Sequence, residues 1–302
     1  MSAPESDAWS RRSERGAQTA IRLIVWIALH LGRPMTQLLL YPICLYYLAS
    51  AAAPRRASAD YLRRALAREP SFAERLKHYL TFAACVLDRV YLLNDQLDLY
   101  DLYVDGEELA AAEIDRNEGC FLFGAHVGSF EILRALGHRQ AALKLSLLMY
   151  EENARKINSV LDAINPKLAL EVIALGQPGS MLAVEQRLDQ GHAIGILADR
   201  GLSLEDDDEQ ISIDFLGKHA RFPLGPFRLA CLLRRRVILM IGLYRGGKRY
   251  DVCFETLADF TDVARTDRDD AVADAVRHYA ARLEHFCRIA PYNWFNFYDF
   301  WR

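Results

Sequence analysis

Gly119-Cys-Phe-Leu-Phe-Gly-Ala-His126-Val-Gly-Ser-Phe-Glu131 is where the chain changes from helical to alternating patterning. The apolar run Cys120 to Ala125 reads as a buried strand, Phe130 to Leu136 as an amphipathic helix, and Leu143 to Met149 as a second strand. The alternation continues with a helix near Glu151 to Ile164, a strand near Leu170 to Leu175, a helix from Ser180 to Asp189 and a strand from Ala193 to Ala198. Repeated strand-helix-strand units predict an α/β fold with a mainly parallel central sheet flanked by helices. Beyond them a helix near Leu224 to Leu233 precedes Val237 to Tyr244, and Gly246-Gly247 turns into Tyr250 to Leu257, which predicts a hairpin. Val272, Val276, Tyr279, Leu283 and Phe286 mark one face of a last helix. Upstream, Ser71 and Glu74 form a capping box that opens a helix of about twenty residues, with Leu76, Leu80, Ala83, Ala84 and Leu87 at helical spacing.

The composition is that of a folded globular chain. Of 302 residues 52% are apolar and 25% charged, with a net charge of −3, which excludes disordered, collagen-like and strongly nucleic-acid-binding classes. The charge is unevenly spread: residues 1–70 carry ten Arg against five acidic residues, so the remainder is acidic. A basic, apolar front end suits an anionic surface, the membrane first of all. Six cysteines without a C-x-x-C pair or zinc-like spacing exclude a metal framework and suit free thiols in a reducing compartment.

Ile21 to Leu31 is apolar except for Arg22 and His30; after Gly32-Arg33-Pro34, Met35 to Ala53 runs nineteen residues without a charge. That is long enough to span a bilayer, although Pro42 interrupts it, and immersion in one leaflet fits as well. Two buried helices of a soluble protein are the third reading. The expected organisation is a membrane-associating segment over residues 1–60 and a catalytic domain over 61–302.

His126 stands at the carboxyl end of a predicted strand, where open α/β sheets bind ligands, and Glu131 opens the next helix. A histidine that takes a proton from an alcohol needs a partner to fix its tautomer, and a carboxylate on the first helical turn can fold back to supply one. Gly128 would let the loop approach a substrate closely. At this level the histidine is open between a general base and a hydrogen-bonded structural residue. The chain holds no G-x-S-x-G elbow, H-E-x-x-H, P-loop, or G-x-G-x-x-G after a strand, which leaves base-assisted transfer without a bound metal.

Histidine, four residues and then glutamate, embedded as Gly-Ala-His-Val-Gly-Ser-Phe-Glu, resembles the lysophospholipid acyltransferase superfamily, in particular its lipid A late acyltransferase branch. Ala193-Ile-Gly-Ile-Leu-Ala-Asp199-Arg200 is similar to that branch's strand ending in Asp-Gln, and Phe215-Leu-Gly217 with Gly225 and Leu229-Ala230 to its Phe-Phe-Gly segment and following helix. The resemblance implies transfer of a fatty acyl group from an acyl carrier protein or coenzyme A thioester to a hydroxyl of a lipid or glycolipid, at the cytoplasmic face of a bacterial inner membrane. By it, His126 is the general base and Glu131 its orienting partner. Gly128, Ser129, Phe130, Asn153, Arg155, Asp199 and Arg200 line the substrate site, and no metal or cofactor is needed beyond the thioester co-substrate. The chain departs from the branch at Arg200, where Gln is usual, and in Tyr150-Glu-Glu-Asn153-Ala-Arg155, which lacks the usual basic and aromatic run. The acceptor is therefore left as a lipid or glycolipid hydroxyl. A catalytically silent lipid-binding or scaffold member, or a thioesterase using water, are the alternatives.

Three further features have two readings each. Arg234-Arg235-Arg236 could dock an acidic carrier protein, or complement a helix dipole and face water. Glu205-Asp-Asp-Asp-Glu209 could be a solvated loop, the reading its charge favours, or a cation site. Asn293-Trp-Phe-Asn-Phe-Tyr-Asp-Phe-Trp301 could line an acyl groove or pack in the core.

Overall fold

The computed structural model describes residues 5–132, 144–150, 172–175, 179–200 and 210–301, with side chains from residue 25 onward except at Tyr150. Its centre is a seven-stranded sheet, and the strand that decides its interior is β2 (Cys120–Gly124), every residue of which is buried. A strand with no polar position must be covered on both faces, and the side chains divide accordingly. Phe121 and Phe123 enter one core; Cys120 and Leu122 enter the other. The neighbouring strands β5 (Ala193–Leu197) and β8 (Arg236–Gly246) divide the same way: Ile194, Ile196, Leu239 and Ile241 face the first core, Ala193, Ile238 and Met240 the second.

With β1 (Asp101–Asp105), β3 (Leu145–Tyr150), β4 (Val172–Leu175) and β9 (Arg249–Asp259), the sheet order is β1-β9-β8-β2-β5-β3-β4. Every neighbouring pair is parallel except β8 and β9, the antiparallel hairpin expected around Gly246-Gly247. A separate hairpin of β6 (Gln210–Phe215) and β7 (Lys218–Pro223) adds Phe215 and Phe222 to the first core. On that face lies the closing helix Arg268–Ile289, with Val276, Tyr279, Leu283 and Phe286 buried as its periodicity predicts, beside the helix Gly225–Leu232. The helix Ser180–Asp189 packs Val184 and Leu188 there as well. The helix expected near Glu151 to Ile164 and the run Glu205 to Glu209 lie outside the described residues, and of that expected from Phe130 to Leu136 only residues 130–132 are described.

The second core is closed by the first and third of the N-terminal helices, while the second puts Tyr61, Leu62 and Ala65 into the first core. Helix α1 (Glu5–Ser50) is two pieces joined at Gly32, whose φ of 74° and ψ of 164° no helix contains, at the break read from Gly32-Arg33-Pro34. Helix α2 (Ala52–Leu66) follows, and α3 (Phe72–Leu92) starts with the expected Ser71–Glu74 capping box. From Val25 on, α1 is apolar on its outer face as well as its inner one. It buries Arg33 and Thr36 beside Val25, Ala28, Cys44 and Leu48, and exposes Trp26, Leu31, Met35, Leu38, Tyr41, Tyr46 and Tyr47, all by more than half. Arg33 is buried at no net deficit of partners: its guanidinium donates to both carboxylate oxygens of Asp88 on α3 at 2.7 and 2.9 Å, and Tyr250 OH donates to the same carboxylate at 2.8 Å. A buried charge needs such pairing, because desolvation otherwise costs more than the pair returns. Among the described residues no single helix is long and apolar enough to cross a membrane; the pair Val25–Ser50 and Ala52–Leu66, bent by 99°, passes by length and composition together.

Candidate active site

Register alone brings the site together. Strands β2 and β5 are parallel neighbours with Gly124 opposite Leu197, so the residues two positions beyond each strand, His126 and Asp199, come to face one another across the carboxyl edge. Ala198 N donates to Gly124 O at 3.0 Å, and the closing helix pins the same carbonyl through Tyr279 OH at 2.9 Å.

The Asp199 carboxylate is fully buried and accepts three hydrogen bonds. Oδ1 meets His126 Nδ1 at 2.8 Å; Oδ2 accepts from His126 N at 3.1 Å and from Trp294 Nε1 at 2.9 Å. Burial by itself would raise its pKa, but the charge and hydrogen bond of His126, the Arg200 cation and the Trp294 N–H together hold it well below the usual carboxylate range. An ionised carboxylate only accepts, so Nδ1 carries the hydrogen, and in the neutral ring the lone pair is on Nε2. The His126 side chain is 35% exposed whereas Asp199 is not exposed at all. Among the described residues no group of three or more His, Cys, Asp or Glu side chains could hold a metal ion.

Glu131, expected to orient His126, has another partner. The helix begins at residue 130, and its first turn carries the Glu131 carboxylate toward α3, where Oε1 lies 2.7 Å from Arg89 Nε. It is an ion pair without a well-directed hydrogen bond, since the Arg89 Nε hydrogen does not point at the oxygen. Arg89 draws the Glu131 carboxylate to α3, while β2–β5 pairing brings to His126 a carboxylate from 73 residues away.

The residues around the histidine are held by main chain. Gly128 N donates to Asn293 O at 2.8 Å, Ser129 N to Gly242 O at 2.9 Å, and Phe295 N to His126 O at 2.8 Å. Gly128 has φ +59°, and a Cβ there would lie 1.9 Å from the Gly242 carbonyl oxygen, so its need for glycine is set by β8. Ser129 is buried, and its Oγ has no hydrogen-bond partner among the described residues. The Phe130 ring lies over β5 close enough that a Cβ on Gly195 would be 3.1 Å from it. Arg200 donates from Nη2 to Phe295 O at 2.8 Å and lies over the Tyr298 ring at 4.8 Å. Asn153 and Arg155 lie outside the described residues.

The closing aromatic run packs in the core: Trp294, Phe300 and Trp301 in the first, Phe295 in the second. Trp294 is the residue of the site that sequence reasoning missed, because its role depends on a contact from the far end of the chain. Two of the three consecutive arginines are engaged within the molecule. Arg235 donates to Glu118 O and to Asp189, and Arg236 pairs with Glu113 and Glu118, which ties the start of β8 to the helix Glu107–Arg116 and the turn after it. All six cysteines are free.

An open, largely parallel sheet with a carboxylate-oriented imidazole at its carboxyl edge is the arrangement of an α/β protein with a ligand site at the ends of adjoining strands. Residues 80–302 match the family model described as bacterial lipid A biosynthesis acyltransferase, and the chain belongs to that family of lipid-biosynthetic acyltransferases. Helices α1 and α2 precede the matched region. No curated protein matches the chain.

Proposed function

We propose that this chain transfers a fatty acyl group from a thioester, of acyl carrier protein or coenzyme A, to a hydroxyl of a lipid or glycolipid, with His126 as general base and Asp199 as the group that orients it. The observation that carries the reading is the His126–Asp199 contact at 2.8 Å, at the ends of adjoining strands in a member of an acyltransferase family. Nε2 takes the proton from the acceptor hydroxyl as its oxygen attacks the thioester carbonyl carbon. The tetrahedral oxyanion collapses with cleavage of the carbon–sulfur bond, and the departing thiolate receives the same proton from Nε2. The products are an ester and a free thiol, and the scheme calls for no cofactor beyond the co-substrate. Buried Asp199 stabilises the imidazolium that forms in between, without itself taking the proton.

Glu131, paired with Arg89, fixes the first turn of the helix that follows the histidine loop. Arg200 meets an anionic part of a substrate, the phosphate of a carrier arm or of a lipid headgroup. Gly128, Ser129 and Phe130 act by seating the loop.

The outer face of α1 supports attachment to a bilayer. A helix that turns Arg33 and Thr36 inward and Trp26, Leu38 and Tyr46 outward has the burial pattern expected where lipid replaces water. The catalytic domain then lies at the cytoplasmic face of the inner membrane, with the outer face of α1 from Trp26 to Tyr47 immersed.

Thiol release from an acyl carrier thioester, measured with and without a bacterial lipid extract, tests the reaction. Release that requires lipid, with the acyl group recovered in an ester, supports transfer; release as free fatty acid without lipid would make the chain a thioesterase.

A further inference from the structure

Trp294 is fully buried and stands where two hydrogen-bonded chains meet. On one side its indole Nε1 donates to Asp199 Oδ2 at 2.9 Å. On the other its carbonyl accepts from His78 Nε2 at 2.9 Å, and His78 Nδ1 lies 2.8 Å from Ser58 Oγ. A carbonyl only accepts, so His78 carries its hydrogen on Nε2 and receives the Ser58 hydroxyl on Nδ1. The main chain contributes too: Trp294 forms a bridge with Val127, and the residues on either side of it, Asn293 and Phe295, bond to Gly128 and His126. Asn293 is itself clamped to β8, where Tyr244 N donates to its Oδ1 at 2.7 Å.

We propose that Trp294 is a positioning residue of the reaction: its indole N–H fixes the Asp199 carboxylate, and through it the Nδ1–H form of His126, while the main chain on either side of it holds the histidine loop. The inference rests on His126 acting as the base. A buried carboxylate can rotate about its terminal bond unless both oxygens are engaged. Oδ1 serves His126, so Oδ2 must be held by other donors, and of the two it has, the indole is the shorter and belongs to a ring that cannot shift. Tyr61, Phe215 and Phe300 meet that ring edge to face at 4.9, 5.4 and 4.9 Å. Ser58 on α2 and His78 on α3 complete the brace, so the N-terminal helices bear on the site without touching it.

The test replaces Trp294 by 3-benzothienylalanine in the full-length chain, which keeps the ring's shape and packing and removes only the N–H. A packing role would not respond to it. The same replacement at Trp301, whose Nε1 donates to Phe215 O at 3.1 Å, controls for loss of a buried indole hydrogen bond elsewhere. At Trp294 the expected result is a fall in kcat of about tenfold to a hundredfold, the scale of a hydrogen bond to a charged group, with KM unchanged. The ¹⁵N spectrum of histidine-labelled protein is expected to show the His126 ring change from one tautomer to a mixture. Full kcat together with an unmixed tautomer would overturn the proposal. If the unmodified chain transfers no acyl group, it is the acyl-transfer reading that falls, and the nitrogen spectrum still decides whether Trp294 positions His126.

Discussion

Replacing Asp199 by Asn separates the carboxylate that orients His126 from the one that merely follows it in sequence. Asn keeps the volume but offers a single oxygen to three donors: His126 Nδ1, His126 N and Trp294 Nε1. The main-chain and indole donors cannot change, so the amide oxygen takes their side and the NH₂ faces Nδ1, 2.8 Å away in the native pair. Two donors at that distance force the ring proton onto Nε2, where the lone pair is needed. Restoring the working tautomer costs the lost hydrogen bond to a charge, about 1.5–3 kcal/mol, and a donor left against a donor, about 1–3 kcal/mol. A total near 4 kcal/mol is roughly a thousandfold in kcat. KM should hold, because Asp199 is fully buried and does not reach a substrate. In contrast Glu131→Gln removes half of a partly exposed ion pair with Arg89, worth up to about 1 kcal/mol of stability, and should cost kcat less than roughly tenfold. The assay is transfer of labelled acyl groups from carrier thioester to lipid under single-turnover and steady-state conditions. The reverse order, Glu131→Gln inactive and Asp199→Asn within tenfold of native, would refute the reasoning.

Three more outcomes follow from other parts of the molecule. His78 is fully buried, and burial, opposed by its hydrogen bond to the Trp294 carbonyl, pushes its pKa down to about 4 from 6.5. The unfolded chain therefore binds more protons between those values, and stability should decline by about 3 kcal/mol as pH falls from 6.5 to 4; His78→Gln should flatten that slope in denaturant titrations, and an unchanged slope would remove His78 as its source. Gly128→Ala puts a methyl 1.9 Å from the Gly242 oxygen, whereas Gly217→Ala, at φ +78°, meets open space. The first should lower the melting temperature far more than the second, whose cost is only the about 1–2 kcal/mol of a left-handed residue, and equal melting would sink the close-approach account. Asp at Trp26, Leu38 and Tyr46 together, all more than half exposed, should leave melting nearly unchanged but move the protein off liposomes in flotation; undiminished flotation would exclude this face as the attachment surface.

The sheet interior was legible because its strands are buried on both faces, so β2, β5 and β8 appear as short apolar runs. The helix at Ser71 announced itself through a capping box and apolar spacing, and that at Ser180 through its place in the strand-helix alternation. The edge strand β1, Asp-Leu-Tyr-Val-Asp, went unread because it is only five residues long and, although its exposure alternates, no position in it is buried. Hairpin β6–β7 went unread beside the acidic run that precedes it, although Gln210–Phe215 does alternate. In the site, His126 and Asp199 were each placed at a strand end, but that they touch follows only from the pairing of Gly124 with Leu197, and register between distant strands is not written in either. Nearness in sequence favoured Glu131; Arg89, on a helix of the other layer, decided its direction.

The claim on which the rest depends is that His126 is the base for acyl transfer to a lipid hydroxyl. Membranes carrying the native chain or His126→Ala, each supplied with labelled acyl carrier thioester and total bacterial lipid, test it most directly. Label entering a lipid ester with the native chain alone is the predicted result. Equal labelling by both would show that His126 is a structural residue and contradict the mechanism.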